Sequence, residues 1–225
     1  MSKSGAELVL NGSRIEDGSY IKIGLHYPIV TQEDKSQAME KDVEKADFLI
    51  DLVKRSRRGD LEAMEGIYEH YKRPIFNLIY RHIYNRDVAE DLLQDIFVKV
   101  FTHMHTLQRN DTFSGWVYRI ALNTCYSYLR GTKSQLQKTV SLSDVEGTIA
   151  EKIDDYDDTL MRKPLEEAIQ KLPHRLKSIF LLHDVQGFKH EEISQILGCS
   201  VGTSKSQLFK ARMKIRGYLK NKQNQ

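Results

Sequence analysis

The stretch from His190 to Lys220, HEEISQILGCSVGTSKSQLFKARMKIRGYLK, is the feature that most limits what this chain can fold into. Apolar residues recur at helical spacing in its first part, and Gly198 is the residue type that ends a helix in a left-handed turn. Ser200 is placed to cap a second helix, which begins at about Val201. The stretch therefore predicts a helix-turn-helix.

The second helix of this motif has a basic face. Its cations are Lys205, Lys210, Arg212, Lys214, Arg216 and Lys220, and no acidic residue follows Glu192. On the other side, the spacing of a buried face is met by Val201, Leu208, Ala211, Ile215 and Leu219. A helix fits the major groove of duplex DNA, where Lys and Arg contact phosphates and polar side chains read base edges. The stretch predicts DNA binding, with a solvated basic face as the alternative.

Composition favours two small helical domains over one large domain. The chain has 225 residues, of which 40% are hydrophobic and 29% charged, and its formal net charge is +3. That charge is unevenly spread, since residues 141–158 contain seven acids and one base whereas the C-terminus is basic. Separate charged segments indicate separate partners. No apolar run has the length of a membrane span and no signal-peptide core is present, so we expect a cytoplasmic protein without membrane insertion.

Residues 1–45 differ in pattern from the rest of the chain. An apolar run at residues 8–10 and a stretch containing Tyr20, Ile21, Ile23 and Leu25 are separated by the turn dipeptides Asn-Gly and Asp-Gly. They indicate strands, either in a small hairpin or in a largely disordered arm. From there on the apolar spacing is helical: a short helix stops at Gly59, and in the next one Pro74 starts or kinks the second part.

Residues 89–101, AEDLLQDIFVKVF, predict a helix with a wide apolar face. Its opposite side carries four polar residues within less than two turns, namely Glu90, Asp91, Gln94 and Asp95. Considered by composition alone, they could be a solvated face in which acids near a helix N-terminus contribute only about 0.3–1 kcal/mol each.

A polar loop, residues 106–112, leads into a further helix, FSGWVYRIALNTCYSYLR, residues 113–130. Its spacing predicts that Val117, Ile120, Ala121, Thr124 and Tyr128 face inward, and that Trp116, Tyr118, Arg119, Asn123, Tyr126 and Arg130 lie at or near the surface. Aromatic rings interleaved with Arg and Asn suit unstacked bases, because stacking contributes about 1–3 kcal/mol per base. The alternative is that several of these rings belong to the core.

Residues 132–159 predict a flexible acidic linker, because they are polar and lack sustained periodicity. Beyond it, Pro164 begins a helix, Pro173 ends it, and a further helix precedes Gly187. We expect these two helices to form the base on which the helix-turn-helix packs.

With these segments in view, the chain resembles the extracytoplasmic-function type of sigma factor of bacterial RNA polymerase. The resemblance covers about Ala46 to Leu219 and depends on two signatures in the family's order. The first is AEDLLQDIFVKVF with FSGWVYRIALN, and the second is LPHRLKSIFLLHDVQGFKHEEISQILGCSVGTSKSQLFKAR. The resemblance implies a subunit that binds core polymerase, recognises two promoter elements and assists melting, and that is not an enzyme.

The resemblance also implies roles for three groups of residues. It makes Glu90, Asp91, Gln94 and Asp95 candidates for contact with core polymerase. It assigns Asn110, Trp116, Arg119, Asn123 and Tyr126 to the minus-ten element, where a base is captured out of the duplex. It assigns Lys205, Ser206, Gln207, Phe209, Lys210 and Arg212 to the minus-thirty-five element. The family often has a basic residue in place of Gln207 and an aliphatic residue in place of Ser204.

The expected architecture is all-α, with two small helical domains, a flexible acidic linker, a C-terminal helix-turn-helix and a short N-terminal extension with β-strand character. Its expected boundaries are 1–45 for the extension, 46–131 for core binding and minus-ten recognition, 132–159 for the linker and 160–221 for minus-thirty-five recognition. The expected partners are RNA polymerase core, promoter DNA and an anti-sigma factor. We expect no cofactor, metal ion or small-molecule substrate.

Two other functions are weighed against this interpretation. A dimeric helix-turn-helix activator or repressor, acting without stable core binding, would leave the signature in residues 89–130 unexplained. An enzyme would need a phosphate-binding glycine loop, a nucleophile motif or a metal quartet, and the sequence contains none of these. His103 and His105 are two residues apart and point to different faces of a helix, which argues against a zinc site there. Cys125 and Cys199 are isolated in sequence, so we expect them to be reduced residues that pack in the helices.

Overall fold

The computed structural model describes residues 8–9, 21–22, 47–139 and 162–223. The predictions made for residues 140–161, which include most of the acidic linker, and for the greater part of the N-terminal extension lie outside the described residues. The chain divides into two units, Met1–Phe48 and Leu49–Gln225.

The first unit contains two short strands. Strand β1 (Leu8–Val9) pairs with strand β2 (Ile21–Lys22) in parallel, with Leu8 opposite Ile21. Short strands were predicted here, either in a small hairpin or in a largely disordered arm. The hairpin considered for them was wrong, because the strands of a hairpin run antiparallel.

The second unit is helical, which confirms the all-α expectation. Its N-terminal helical group consists of α1 (residues 47–56, of which 49–56 belong to this unit), α2 (Leu61–Ile83), α3 (Arg86–His103) and α4 (Phe113–Thr139). Its C-terminal helical group consists of α5 (Arg162–Gln170), α6 (His174–Phe180), α7 (His190–Leu197) and α8 (Val201–Gln223). Tight turns connect some of them: 3₁₀ turns at Met104–Thr106 and Asn110–Thr112, and a π-helical turn at Leu181–Val185. In the first group α2 packs on α3 and α4, and in the second α8 packs on α5, α6 and α7.

Local chemistry explains where several helices begin and end. Gly59 has φ +88°, a conformation that ordinary side chains resist, and it separates α1 from α2. The side chains of Asp60 and Asn85 cap α2 and α3 by accepting hydrogen bonds from backbone N–H groups three residues on. Gly198, with φ +62°, ends α7 as the sequence predicted.

Helix α2 is continuous through Pro74. A proline inside a helix costs about 3 kcal/mol, because it removes one backbone hydrogen bond and crowds the preceding turn. The turns that follow it bury Ile75, Leu78 and Ile79. Each such side chain contributes about 1.5–3 kcal/mol on full burial, which is enough in total to offset the proline.

Helix α4 differs from expectation in three respects. It continues to Thr139, so the first residues of the predicted linker are helical. Tyr118, predicted near the surface, is buried, and Tyr128, predicted to face inward, is exposed. The burial of Tyr118 has a physical reason: helical spacing identifies an apolar face but cannot tell that the C-terminal helical group will cover another face of the same helix.

The two helical groups contact each other within the second unit. Helix α7 packs on α4, and α5 approaches α2. The helices occur where the proposed domains 46–131 and 160–221 were drawn, and the domain boundaries themselves stay a prediction. The contact brings two surfaces that are distant in sequence into one compact unit.

Candidate nucleic-acid interface

Helix α8 separates its residues into a buried and an exposed face. Leu208, Ala211 and Ile215 are buried against the rest of the C-terminal helical group. Four residues predicted to face DNA are exposed on the other side, namely Lys205, Ser206, Phe209 and Lys210. The ring of Phe209 is 66% exposed. The exposed face therefore combines cations, a hydroxyl group and an apolar ring.

The beginning of α8 is fixed by side-chain hydrogen bonds. Ser200 accepts a hydrogen bond from the backbone N–H of Thr203 at 3.0 Å, which confirms Ser200 as the predicted cap. Ser204 is fully buried, and its Oγ lies 2.9 Å from Nδ1 of His190 at the start of α7. Because this hydroxyl has a partner, a serine can stand where an aliphatic side chain would otherwise pack.

Two of the residues predicted to contact the minus-thirty-five element differ from the others in exposure. Gln207 is half-buried. The side chain of Arg212 is 14% exposed, and its guanidinium group binds the carboxylate of Asp184. Arg212 therefore does not point outward with Lys205 and Lys210.

Three of the residues predicted to contact the minus-ten element lie together on α4. Arg119 and Asn123 are exposed and Trp116 is half-buried beside them. They line an open groove of about 570 Å³, together with Lys99 and His103 from α3. Cations, an indole ring and an amide thus converge on one groove, a combination that suits an unstacked base and its phosphate.

The other two predicted minus-ten residues lie elsewhere. Asn110 is half-buried in the turn before α4, where its side-chain oxygen accepts a hydrogen bond from Arg57 at 3.0 Å. Tyr126 faces the C-terminal helical group, and its hydroxyl oxygen lies 2.5 Å from Oγ of Ser178. Because Tyr126 binds Ser178, it lies apart from the groove that Trp116, Arg119 and Asn123 line.

The predicted core-binding residues form one exposed patch on α3. Glu90, Asp91, Gln94 and Asp95 are all exposed. Glu90 is held by Arg86 one turn earlier, at 3.0 Å. Val98, one turn beyond them, is 65% exposed. The patch is acidic, with an exposed apolar residue at its end.

The contact between the two helical groups is polar. The guanidinium group of Arg81 at the end of α2 binds the carboxylate of Glu166 on α5 through three hydrogen bonds of 2.5–3.2 Å. Tyr118 donates a hydrogen bond to Gln186 at 2.5 Å, and its ring packs edge-on against Phe188, with 4.9 Å between the ring centroids. Interfaces rich in such groups resemble transient contacts more than a continuous apolar core.

His82 lies at the centre of this contact. It is buried, and its Nε2 lies 3.1 Å from Oγ of Ser178, the serine that Tyr126 also binds. Burial, together with the nearby positive charge of Lys177 and the neighbouring His174, lowers the pKa of His82 to about 3. Burial also lowers the pKa of Lys177, to about 8. His82 is therefore neutral at physiological pH.

Sequence reasoning missed the residues that join distant elements. Ser178, Glu166 and Asp184 were not singled out, although each binds a residue at least 28 positions away. Their signal in the sequence is weak, because isolated polar residues on amphipathic helices are normally solvated. Among the described residues, no cluster of His, Cys, Asp or Glu could hold a metal ion, and no helix is long and apolar enough to cross a membrane.

Known protein families match both helical groups. The family described as Sigma-70 region 2 matches residues 67–135, and Sigma-70, region 4 matches residues 162–215. The RNA polymerase sigma-H factor of Pseudomonas aeruginosa is 32% identical over 174 residues, which cover 73% of this chain and 90% of that protein. The ECF RNA polymerase sigma-E factor of Haemophilus influenzae is 29% identical over 173 residues, covering 73% and 91%.

Solved structures show the same fold. The sigma factor RpoE of Bartonella quintana, in complex with the anti-sigma factor NepR, aligns with a TM-score of 0.58 at 23% identity, covering 69% of this chain and 96% of that one. CnrH, in complex with the cytosolic domain of CnrY, aligns with a TM-score of 0.58 at 16% identity, covering 77% and 97%. Given the match in sequence to both sigma regions, this chain belongs to the sigma factors of the extracytoplasmic-function type. It directs RNA polymerase to specific promoters.

Proposed function

We propose that three separate surfaces divide the work of this sigma factor: the acidic patch of α3 binds core polymerase, the groove of α4 holds the minus-ten element, and the exposed face of α8 reads the minus-thirty-five element. The observation that carries the proposal is the chemistry of these surfaces. The first is acidic and exposed, whereas the other two combine cations with aromatic rings.

The acidic patch suits a basic protein surface. Asp91, Gln94 and Asp95 are exposed, and among the described residues neither Asp91 nor Asp95 forms an ion pair. Glu90 contributes less charge, because Arg86 already compensates it. The carboxylates would steer and orient the encounter with core polymerase, while exposed Val98 would supply apolar contact.

The groove of α4 suits single-stranded DNA. Trp116 offers a ring for stacking, Arg119 a guanidinium group for phosphate or base, and Asn123 an amide for hydrogen bonds. Asn110 and Tyr126 are weaker candidates, because both already bind partners within the chain. Tyr126 would become available only if the C-terminal helical group moved away.

The exposed face of α8 suits the major groove. Lys205 and Lys210 would contact phosphates, Ser206 and Gln207 base edges, and the ring of Phe209 a thymine methyl group. The residue types, and their exposure in the second helix of a helix-turn-helix, support this arrangement.

Simultaneous reading of both elements requires the two helical groups to separate. The minus-ten and minus-thirty-five elements are about 25 base pairs apart, which corresponds to about 85 Å of duplex at 3.4 Å per pair. Helix α7, which precedes the reading helix, packs on α4, which carries the minus-ten residues. Both surfaces therefore belong to one compact unit that cannot span the promoter as it stands. We infer that the linker, residues 132–159, joins domains 46–131 and 160–221 that move apart on polymerase.

The fold and the family lead us to propose several further properties. An anti-sigma factor is an expected partner, since the sigma factor RpoE, which has a similar fold, is in complex with the anti-sigma factor NepR, and CnrH, which also has a similar fold, is in complex with the cytosolic domain of CnrY. We propose a cytoplasmic location, because RNA polymerase and the chromosome are there. We assign no catalysis, cofactor, metal ion, small-molecule substrate or membrane insertion to the chain, and no role to residues 1–45.

Transcription with purified components tests the proposal. The full chain is mixed with bacterial core polymerase and a pool of genomic fragments, and transcript starts are mapped. Start sites sharing an upstream and a downstream element would support it. A dimer that binds palindromic DNA without polymerase, and no start sites with polymerase, would favour the alternative of a conventional helix-turn-helix regulator.

A further inference from the structure

The guanidinium group of Arg212 is held inside the protein. Its Nε donates a hydrogen bond to Oδ2 of Asp184 at 3.0 Å, and its Nη2 donates one to Oδ1 at 2.6 Å. The two side chains are 14% and 5% exposed. Although burial raises the pKa of Asp184, hydrogen bonds from His183 and Arg212 hold it below its ordinary value, so the carboxylate is ionised.

A second contact ties α8 to the same part of the fold. Nδ1 of His183 lies 2.8 Å from Oδ1 of Asp184, and the His183 ring lies 4.6 Å from the ring of His190. His190 in turn binds the buried Ser204 at 2.9 Å. Side chains of the π-helical turn and of α7 thus form a continuous chain of contacts that reaches α8 at two points.

The two points bracket the exposed reading face. Ser204 and Arg212 are eight residues apart, which is about 12 Å along a helix. Lys205, Ser206, Phe209 and Lys210 lie between them in sequence, with side chains on the exposed side. Two anchors at the ends of a segment fix both its rotation about the helix axis and its position along it.

We propose that Arg212 and Asp184 are positioning residues, which set the rotation of α8 so that its exposed face meets the base edges, and that Arg212 itself does not contact DNA. The inference deepens the proposed function, since it depends on α8 reading the upstream element. If Arg212 swung out to a phosphate, the buried Asp184 carboxylate would lose its countercharge, and such a loss outweighs one solvent-exposed phosphate contact.

The test uses the full chain bound to bacterial core polymerase, and a duplex that this wild-type holoenzyme selects from a random-sequence pool. Binding is measured to that duplex, to its single-base-pair variants, and over a range of salt concentrations. The variants are Arg212→Lys, Arg212→Ala, Asp184→Asn and the Asp184→Asn/Arg212→Ala double variant, with Lys210→Ala as the control for a phosphate contact. Thermal melting confirms that each variant is folded at the assay temperature.

If Arg212 and Asp184 position α8, these variants should show an unusual pattern of DNA affinities. Asp184→Asn removes a negative charge and would strengthen DNA binding by electrostatics alone, yet we expect at least 10-fold weaker binding to the selected duplex. Arg212→Lys keeps the charge but not the two-pronged geometry, and we expect a similar loss. The double variant should lose no more affinity for the selected duplex than either single variant does. Discrimination against single-base-pair changes in the duplex should fall at several positions together. The salt slope should stay unchanged, whereas Lys210→Ala should lower it by about one.

Three results would overturn the inference. A salt slope lowered by about one in Arg212→Ala, with Arg212→Lys binding normally, would identify a phosphate contact. If only the Arg212 variants lost discrimination, at a single base pair, and Asp184→Asn bound DNA like the wild-type chain, Arg212 would be identified as a residue that reads a base. Lowered melting temperatures with unchanged affinity would indicate a purely structural pair. If the wild-type holoenzyme enriched no duplex at all, the proposed function itself would fail, and the inference with it.

Discussion

The ion pair between Arg81 and Glu166 is expected to hold the two helical groups together, and Glu166→Gln should release them. The pair joins α2 to α5 across the contact through hydrogen bonds of 2.5–3.2 Å, and its side chains are 22% and 18% exposed. The substitution keeps the shape of the side chain but removes the charge, so the Arg81 cation is left without its countercharge.

The size of the effect follows from this degree of burial. Exposed ion pairs contribute about 0–1 kcal/mol, and breaking a fully buried pair costs about 3–5 kcal/mol. At one-fifth exposure we expect about 2 kcal/mol, which changes the ratio of separated to closed molecules about 30-fold. A chain that is about 1% separated would become about 20% separated.

Energy transfer between two dyes measures this ratio. Dyes attached at Lys54→Cys and Lys220→Cys report the distance between the two groups, in a Cys199→Ser background. Cys125 is fully buried, and burial raises its pKa to about 12, so it stays unlabelled.

Glu167→Gln is the matched control for this experiment. Glu167 is the next residue in sequence and undergoes the same chemical change, but it binds Tyr218 and Lys222 within the C-terminal helical group. Equal energy transfer in the two variants would refute the idea that the Arg81 pair holds the groups together.

Three further predictions test other parts of the structure. The pKa of His82, about 3 because of burial, lies below its value of about 6.5 in an unfolded chain, so the folded protein takes up fewer protons on acidification. Stability should therefore fall as the pH drops below about 6.5, by about 2 kcal/mol at pH 5 in denaturant titrations. Asp95→Lys should weaken binding to core polymerase at least 10-fold in a fluorescence titration, because it reverses a charge in the centre of the acidic patch. Ser204→Val should cost about 1–3 kcal/mol by leaving Nδ1 of His190 unpaired, which lowers the melting temperature by about 2–12 °C.

Each of these predictions has its own control. His82→Gln should flatten the stability profile between pH 5 and 6.5, and a slope equal to that of the wild-type chain would rule out His82 as its source. Glu65→Lys reverses an exposed charge on α2, and if it weakened core binding as much as Asp95→Lys, the acidic patch would not be the contact. Ser206→Val changes an exposed serine of α8 and should leave the melting temperature unaltered.

Helix ends and the helix-turn-helix could be predicted from the sequence because their determinants are local. Gly59 and Gly198 have positive φ, and Ser200 bonds a backbone N–H three residues away. Such signals act within one turn of helix and do not depend on the rest of the fold. The exposure of the α3 patch followed in the same way, from the position of Asp91 and Asp95 opposite an apolar stripe.

The environments of three candidate residues could not be predicted. Arg212 looked like one more cation on a basic face, but it binds Asp184, 28 positions earlier. Tyr118 and Tyr126 looked like exposed rings, but they bind Gln186 and Ser178 of the other helical group. Periodicity distinguishes polar from apolar faces, and it contains no information on which polar group from elsewhere in the chain will lie opposite.

The sequence by itself determined that this chain is a sigma factor, where most of its helices begin and end, and which side of α8 is basic. Only the tertiary structure decided that the two helical groups close on each other and that one cation of α8 turns inward. The physical reason is the range of the interactions. Caps, turns and amphipathic spacing act over a few residues, whereas buried hydrogen bonds and ion pairs form between residues that meet only after the chain has folded.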